Sequence, residues 1–598
     1  MNKSSAMVLS WGLLSAPCVV LAFPFNTPVE GLDASLDSTL DYSAMYRTAK
    51  PERIISEGRN LFDNTNDGSE YYSRGLVASE FKITSELNLK HKDDGFFIRG
   101  SAWYDTQLMD HPPSGGEFAT HNSDSARKYP SDLRNRLGHG TRLLDAYVYS
   151  NREIYDMPVN LRLGRQVINW GEGIYYADGL NVVNPADVGR IVLPSASLKE
   201  ALLPTNMVSL QVGLSDSFSM ESFYGLEWKA NQLMPTGAFL NNTDVLGKGS
   251  RGAIADLRSE LASEEIPASF VPGVNGEDGI VAASRYGEEH KAHDSGQFGV
   301  ALRYISESLN NTEFSLYYLN YHSKVPFVSL HPGAPYGCSQ GGGGKFASLC
   351  GLANSLAPEY IPLVDGLELL DQSRYDLIYP ENIRLFGFTI SGNINDTNLA
   401  AELTYRPNAP LESSMTDEIE QLVRGALLQG GGSGAPIELG SFGVADNRPI
   451  NLYRRGELYT SSLSAIHTFG PALTLDGLLL VAEVASNYVP GSLTNSSSYH
   501  YLSPFSWGYT LNFSGTWENV VKGIDLMPGF TFRQDVSGTS PALNENFIQG
   551  RKSSTIELGA RYSENLSGKL SYTAFWGARK ENSLIDRDNL ALNLSYSF

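Results

Sequence analysis

The chain has 598 residues, with 45 Lys and Arg against 66 Asp and Glu and a formal net charge of −21. That balance argues against a nucleic-acid partner, because phosphate contact needs clustered cations. A mean hydropathy of −0.21 excludes a bundle of transmembrane helices, and 31 Tyr, 26 Phe and 7 Trp exclude a disordered chain.

Residues 1–22 read as an export signal. Met1 to Lys3 is weakly basic, Ala6 to Val20 is mostly apolar, and Val20-Leu21-Ala22 fits a small-residue cleavage site. The apolar run is too short for an anchor helix and contains Pro17. Pro17 also defeats a lipoprotein reading through Cys18, which would need a small residue before the cysteine. The mature chain, 23–598, is expected to be one domain. It keeps only Cys338 and Cys350, a candidate disulfide in an oxidising compartment.

From there the sequence repeats segments of about ten residues that alternate apolar with polar or small. In one, Phe81, Ile83, Leu87 and Leu89 oppose Glu80, Lys82, Thr84, Glu86 and Asn88. The last places Leu590, Leu592, Leu594, Tyr596 and Phe598 on one face. Period two assigns each set to one face of a strand. Eighteen segments are predicted: 34–47, 77–90, 95–108, 143–151, 158–167, 206–214, 217–228, 297–306, 312–322, 384–394, 397–407, 457–469, 475–488, 506–516, 522–535, 553–565, 568–580 and 588–598. Short connections alternate with long ones, which a string of soluble β-sandwiches does not explain. The prediction is a single all-β outer-membrane barrel, antiparallel and up-and-down, of about 18 strands with 16 as the alternative. Lipid cannot hydrogen-bond a backbone, so closure is what lets strands cross. An even count puts both chain ends on the short-turn, periplasmic side. Tyr42, Tyr46, Trp507, Tyr562, Trp576 and Tyr596 suit interfacial girdles.

Parity turns Arg99, Arg162, Arg303, Arg406, Arg533, Arg561 and Arg579 inward, with Glu80, Glu86, Glu402, Asp535 and Glu557. Two readings of these charges stay open, mutual pairing that holds the lumen's side chains and an ordered ladder that selects a solute. The parity of strand 384–394 is ambiguous, so Arg384 is not assigned. Amphipathic helices are expected at 413–429, 253–265 and 195–203 on the long loops, covering the lumen or a neighbouring loop.

Catalytic motifs fail. Gly344-Lys345 lacks the rest of a phosphate loop, and Gly431 to Ala435 misses the nucleophile elbow at its last position. His290 and His293 have a metal-like spacing without an accompanying acidic motif. No cofactor or metal is implied.

One loop is distinctive. It runs Gly164-Arg165-Gln166, then Trp170-Gly171-Glu172, then Asn184-Pro185-Ala186-Asp187, and on to Leu198-Lys199-Glu200 and Pro204. This resembles the proteobacterial outer-membrane family catalogued as domain of unknown function family 1302 (DUF1302), over essentially the whole mature chain. The resemblance implies an outer-membrane β-barrel associated with a periplasmic-facing lipoprotein family and inner-membrane resistance-nodulation-division transporters. It implies a role in moving hydrophobic molecules across the envelope. Phe598, after alternating apolar residues, resembles the signal read by the barrel assembly machinery. Outer-membrane lipid and lipopolysaccharide are the expected surroundings. Arg165 and Glu172 are expected to pair, Trp170 to pack into the lumen, and Asn184-Pro185 to start a turn. Together Gly164, Arg165, Gln166, Trp170, Gly171, Glu172, Asn184 and Pro185 form a candidate constriction.

The leading expectation is therefore a passive channel or transport component for hydrophobic or amphipathic molecules. A barrel-embedded lipid hydrolase would need a Ser or Thr beside a His. A structural or adhesive barrel would need a blocked lumen and a protruding loop crown.

Overall fold

The structure is a computed structural model. It describes residues 23–598 apart from 27–29, 52–63, 66, 116–121, 123–126, 177, 197, 257–279, 288, 332, 334–337, 339–344, 357, 359–360, 413–437, 440–441, 444–448, 492–502 and 541–545. The expected signal peptide and the helix expected at 413–429 lie outside the described residues.

Eighteen antiparallel strands close into one barrel. They are β1 Leu32–Arg47, β2 Gly75–His91, β3 Asp94–Asp105, β4 His139–Ile154, β5 Met157–Gln166, β6 Thr205–Gly213, β7 Phe218–Gly225, β8 Phe298–Ser306 and β9 Thr312–Tyr321. The second half comprises β10 Ile383–Ile394, β11 Thr397–Glu412, β12 Tyr453–Ala472, β13 Leu475–Tyr488, β14 Phe505–Val521, β15 Ile524–Ser537, β16 Lys552–Tyr562, β17 Leu566–Trp576 and β18 Asn589–Ser597. All eighteen predicted segments are strands.

Closure is made by β1 with β18, in register from Thr39 opposite Ser597 to Arg47 opposite Asn589. Below that ladder a short strand, Phe23–Asn26, pairs with Asp33 to Leu36 of β1 and continues the line of β18. Tight turns join the strands at the end where both termini lie. Lys92, Tyr155, Asp156, Asn395, Leu473 and Thr474 supply the left-handed backbone that such turns need.

The outer face is apolar and bare. Leu316 is 60% exposed and Ile556 62%, alongside Phe81, Leu163, Leu403 and Leu463. An exposed apolar surface encircling a closed sheet is a belt for lipid. At the long-loop edge Phe298, Tyr318, Phe386, Tyr405, Tyr459 and Tyr488 step across six consecutive strands with ring centroids 4.7–6.3 Å apart. Phe386 and Phe388 face out, and Arg384 lies exposed on that same face, which resolves the parity of β10.

Three expectations are corrected. β17 stops at Trp576, because Gly577, Ala578 and Arg579 take φ of 81°, 55° and 47° and break the pleat. Arg579 begins a short 3-10 turn and is exposed, so it is not a lumen-facing strand residue. The helix expected at 253–265 is a strand over Gly252–Asp256, with 257–265 outside the described residues. Of the helix expected at 195–203 only Leu198–Ala201 is helical.

Three long loops also build something the periodicity did not announce. Ile450–Asn451, Phe327–His331, Arg374–Ile378, Ile280–Arg285 and Gly252–Asp256 form a separate five-stranded sheet, in that order. Helices Ala347–Leu356 and Ile361–Asp371 pack on it around Phe346, Leu349, Val364, Leu367, Tyr375 and Leu377. The expected Cys338–Cys350 disulfide is formed there, with S–S 2.00 Å.

Candidate functional site

The signature loop, residues 167–204 between β5 and β6, folds into the barrel and crosses it. Its two ends are fastened by one amide. The main-chain N–H of Ile168 donates to Asn184 Oδ1 at 2.8 Å, and Asn184 Nδ2 donates to the carbonyls of Gln166 and Leu203, each at 3.1 Å. Gln166 Nε2 donates to the Met207 carbonyl, and Ser209 Oγ donates to Gln166 Oε1. Pro185 contributes its carbonyl to Leu203 N. Asn181 repeats the device further in, where its Oδ1 accepts from Trp170 N and Gly171 N at 3.1 and 2.9 Å. A Cβ on Gly171 would fall 2.7 Å from Nδ2 of Asn181 and 3.0 Å from a Glu402 carboxylate oxygen, so a side chain here would push on both of these fasteners.

On the near wall, Asp187 lies 2.6 Å from Arg142 and 3.7 Å from Arg136, and accepts from Arg190 N to cap the turn Val188–Ile191. Arg190 donates to Glu80 at 2.9 Å, and Ser195 Oγ donates to the same oxygen at 2.7 Å. Lys82 bonds Glu200 at 2.5 Å and lies 3.5 Å from Asp41, and Thr84 donates to Glu200. Apart from the partly exposed Arg136 and Arg142, these charges are buried, so each depends on its partner.

On the far wall the segment is held chiefly through its own backbone. Glu402 of β11 accepts from Glu172 N and Leu180 N at 2.8 and 2.7 Å. Glu483 of β13 accepts from Ile174 N and Tyr175 N at 3.1 and 2.5 Å. Arg406 donates to the carbonyls of Asp178 and Gly179, and to the Tyr321 hydroxyl. Tyr176 stacks on Phe547 at 5.2 Å beneath the Arg533 guanidinium. Trp170 is buried against the inward rings of Phe223 and Tyr317, at 5.3 and 5.8 Å.

Trp170 thus packs on the lumen wall. The expected Arg165–Glu172 pair does not form. The segment carries Glu172 away to the wall of β8–β11, where burial, Glu313 and Glu402 raise its carboxyl to about 7 against the pull of Arg303. Gly164 takes φ +133° opposite Tyr147, and Arg165 is half-buried, its Nε lacking a hydrogen-bond partner among the described residues.

The remaining inward charges divide in two. Arg99 pairs with Glu86 and Asp145 at 3.0 and 2.9 Å, Arg303 with Glu313 at 2.8 Å, and Arg561 with Asp525 at 2.8 Å. Asp535 holds Arg551 and Arg533, and Glu557 lies 3.6 Å from Lys569. Glu80, Glu402 and Arg406 instead serve the inward segment. Among the described residues, Arg162 has the Tyr147 ring beside it, at 5.5 Å, and no hydrogen bond or ion pair. Parity could not separate Lys82 and Glu483 from other inward strand positions, and it does not apply to Glu200, which the loop itself carries. Asp187 was visible in the motif, but only the structure gives it work, and Asn181 was not singled out.

His290 and His293 are not brought together: His290 meets Asp376 and His293 meets Glu381. Among the described residues no group of three metal-ligating side chains is assembled. Thr397 Oγ1 lies 2.7 Å from His467 Nδ1, the type of pair a hydrolase would need, at the short-turn end on the outer face. The His467 ring packs edge-on to Phe469, and no carboxylate orients it among the described residues.

No curated protein matches the sequence. Among solved structures the chain is similar to OccAB1 of Acinetobacter baumannii, with 10% identity, TM-score 0.41, and coverage of 98% of this chain and 99% of that one. It is also similar to OccK2 (OpdF) of Pseudomonas aeruginosa, solved with glucuronate, with 10% identity, TM-score 0.38 and coverage of 94% and 98%. A BenF-like porin from Pseudomonas fluorescens Pf-5 is similar at 10% identity, TM-score 0.40 and coverage of 95% and 99%. The family model described as "Protein of unknown function (DUF1302)" matches residues 3–598, and the chain belongs to that family.

Proposed function

We propose that this chain is a passive outer-membrane channel or transport component for hydrophobic or amphipathic molecules, with residues 167–204 as its gate. One observation carries the reading. The far end of the segment is docked largely on two carboxylates, Glu402 and Glu483, which accept four main-chain N–H groups. Water can take the place of each N–H once this end lifts, whereas separating the near-wall ion pairs would strand buried charges, so this end can release while the near wall stays anchored. The surfaces it separates are mixed: aromatic around Trp170, Phe223 and Tyr317, carboxylate around Glu402 and Glu483. That mixture suits a solute with an apolar body and a polar end.

In this reading residues 1–22 direct export, and the assembly machinery reads the last strand ending at Phe598. A periplasmic lipoprotein and an inner-membrane resistance-nodulation-division transporter complete the path. The test is conductance in planar bilayers. Glu402→Ala with Glu483→Ala should raise open probability well above the parent protein. A correctly closed barrel carrying both changes, yet conducting like the parent, would show 167–204 to be a fixed plug. That result would favour a structural or adhesive barrel, a reading to which the separately cored loop sheet lends some support.

A further inference from the structure

Building on the channel reading, we propose that the lumen wall of β3–β5 is a binding platform for an amphipathic organic anion with a planar apolar body and one anionic head. Phe97, Tyr147 and Tyr149 face inward on β3 and β4. Phe97 lies opposite Tyr147 with ring centroids 5.5 Å apart, and Tyr147 is 6.3 Å from Tyr149. One glycine lays the Tyr149 ring against the wall. A Cβ on Gly95 would fall 2.2 Å from Cζ of Tyr149, so that ring occupies the space a side chain would take. A Cβ on Gly164 would instead meet backbone, 2.4 Å from the Ala146 carbonyl oxygen and 2.8 Å from Cα of Tyr147, so this glycine marks the close approach of β5 to β4 beneath Tyr147. Rings held flat present a face to the lumen rather than an edge.

Arg162 stands over Tyr147 at 5.5 Å and opposite Tyr149 in the β4–β5 ladder. Among the described residues it makes no hydrogen bond and no ion pair. Its neighbours on this wall are satisfied elsewhere. Arg99 lies between Glu86 and Asp145 and over Phe97 at 5.2 Å, and Tyr149 donates to Asn88 at 3.3 Å. Lower-lumen cations on other walls are matched too, Arg303 by Glu313 and Arg561 by Asp525. A weakly hydrated guanidinium offers parallel N–H donors that fit a carboxylate, and the ring faces beside it take the apolar body. Asn88 lies four residues along β2 from Thr84, where Glu200 of the gate is held, a distance of about 13 Å. The platform therefore sits on the short-turn side of the gate.

The test uses the full-length barrel purified in detergent and equilibrium dialysis with 2-naphthoate, against the neutral 2-naphthylmethanol. The parent protein should bind the naphthoate more tightly than the alcohol. Arg162→Gln should weaken naphthoate about tenfold and leave the alcohol unchanged. Tyr147→Leu should weaken both, and Arg561→Gln neither. Arg162→Lys keeps the charge without the fork, and should fall between the parent and Arg162→Gln. Equal affinity for acid and alcohol, or full naphthoate binding by a heat-modifiable, folded Arg162→Gln barrel, would overturn the platform. Failure here is separable from failure of the gate. Conductance through the Glu402→Ala, Glu483→Ala barrel without naphthoate binding sinks only the platform, and binding without conductance sinks only the gate.

Discussion

Replacing Asn184 tests how the inward segment is held. Its side chain is 4% exposed and joins both ends of the segment through one acceptor and one amide nitrogen. Four contacts are involved, counting a longer one of 3.4 Å to the Thr205 hydroxyl. At roughly 0.5–1.5 kcal/mol net per bond, Asn184→Ala should cost the docked segment about 2–6 kcal/mol. The lower figure already shifts docking about thirtyfold. Asn184→Asp, although nearly the same shape, should be worse. It keeps the acceptor for Ile168 N, but it loses both amide hydrogens and points an anion at the oxygens of Gln166, Leu203 and Thr205. The assay is maleimide labelling of Ile174→Cys, with the native cysteines silent in their disulfide. Labelling should rise from parent to Asn184→Ala to Asn184→Asp, while heat-modifiable migration shows the barrel still closed. Parent-like protection in Asn184→Asp would refute the pinning role, because no other feature of the site tolerates a carboxylate there.

Three further outcomes follow from the same geometry. The Glu172 carboxyl is raised to about 7 in the docked segment, so docking binds a proton that the free segment lacks between about pH 4.5 and 7. Docking should therefore weaken as pH rises through that window, open probability should climb, and Glu172→Gln should flatten the profile in bilayer recordings. Lys324, buried beside Trp228 with Gln297 as its acceptor, is pushed down to about 7. The unfolded chain then holds more protons between about pH 7 and 10.5, so apparent melting temperature in detergent should rise with pH there. Lys324→Met should remove that rise. Replacing Cys338 and Cys350 together by Ser opens a loop with a sequence separation of 12 residues, worth ~3 kcal/mol to the loop sheet. Proteolysis of helix Ala347–Leu356 should speed up while the barrel's migration stays unchanged.

The wall of this protein was legible because lipid on one side and a polar lumen on the other impose period two on every strand. Each of the eighteen could be placed from alternation such as Phe81-Lys82-Ile83. The loop sheet obeys no such rule. Its strands have five or six residues at most, and Leu330, Tyr375 and Leu377 meet a core without lipid opposite, so no long alternation builds up. Arg579 was misassigned because alternation ran past a break that only left-handed backbone reveals. Within the signature loop, Asn184 and Gln166 were identified for position and proved to be fasteners. Glu172 found partners more than a hundred residues away, which no local pairing rule could supply. Glu402 was read as one more lumen charge, and its acceptor role needs a backbone that arrives from β5.

The clamps also set an order of assembly. Glu172 and Glu402 are 230 residues apart in the chain, and Ile174 and Glu483 are 309 apart. The segment is made early, after β5, whereas its far anchors lie on β11 and β13. During translocation and insertion it must therefore travel undocked, with its N–H groups in water. Docking is a late event that presupposes a nearly complete wall. The same long span means that release of the far end would remove no strand pairing, so the proposed gate would cycle without reopening the barrel wall.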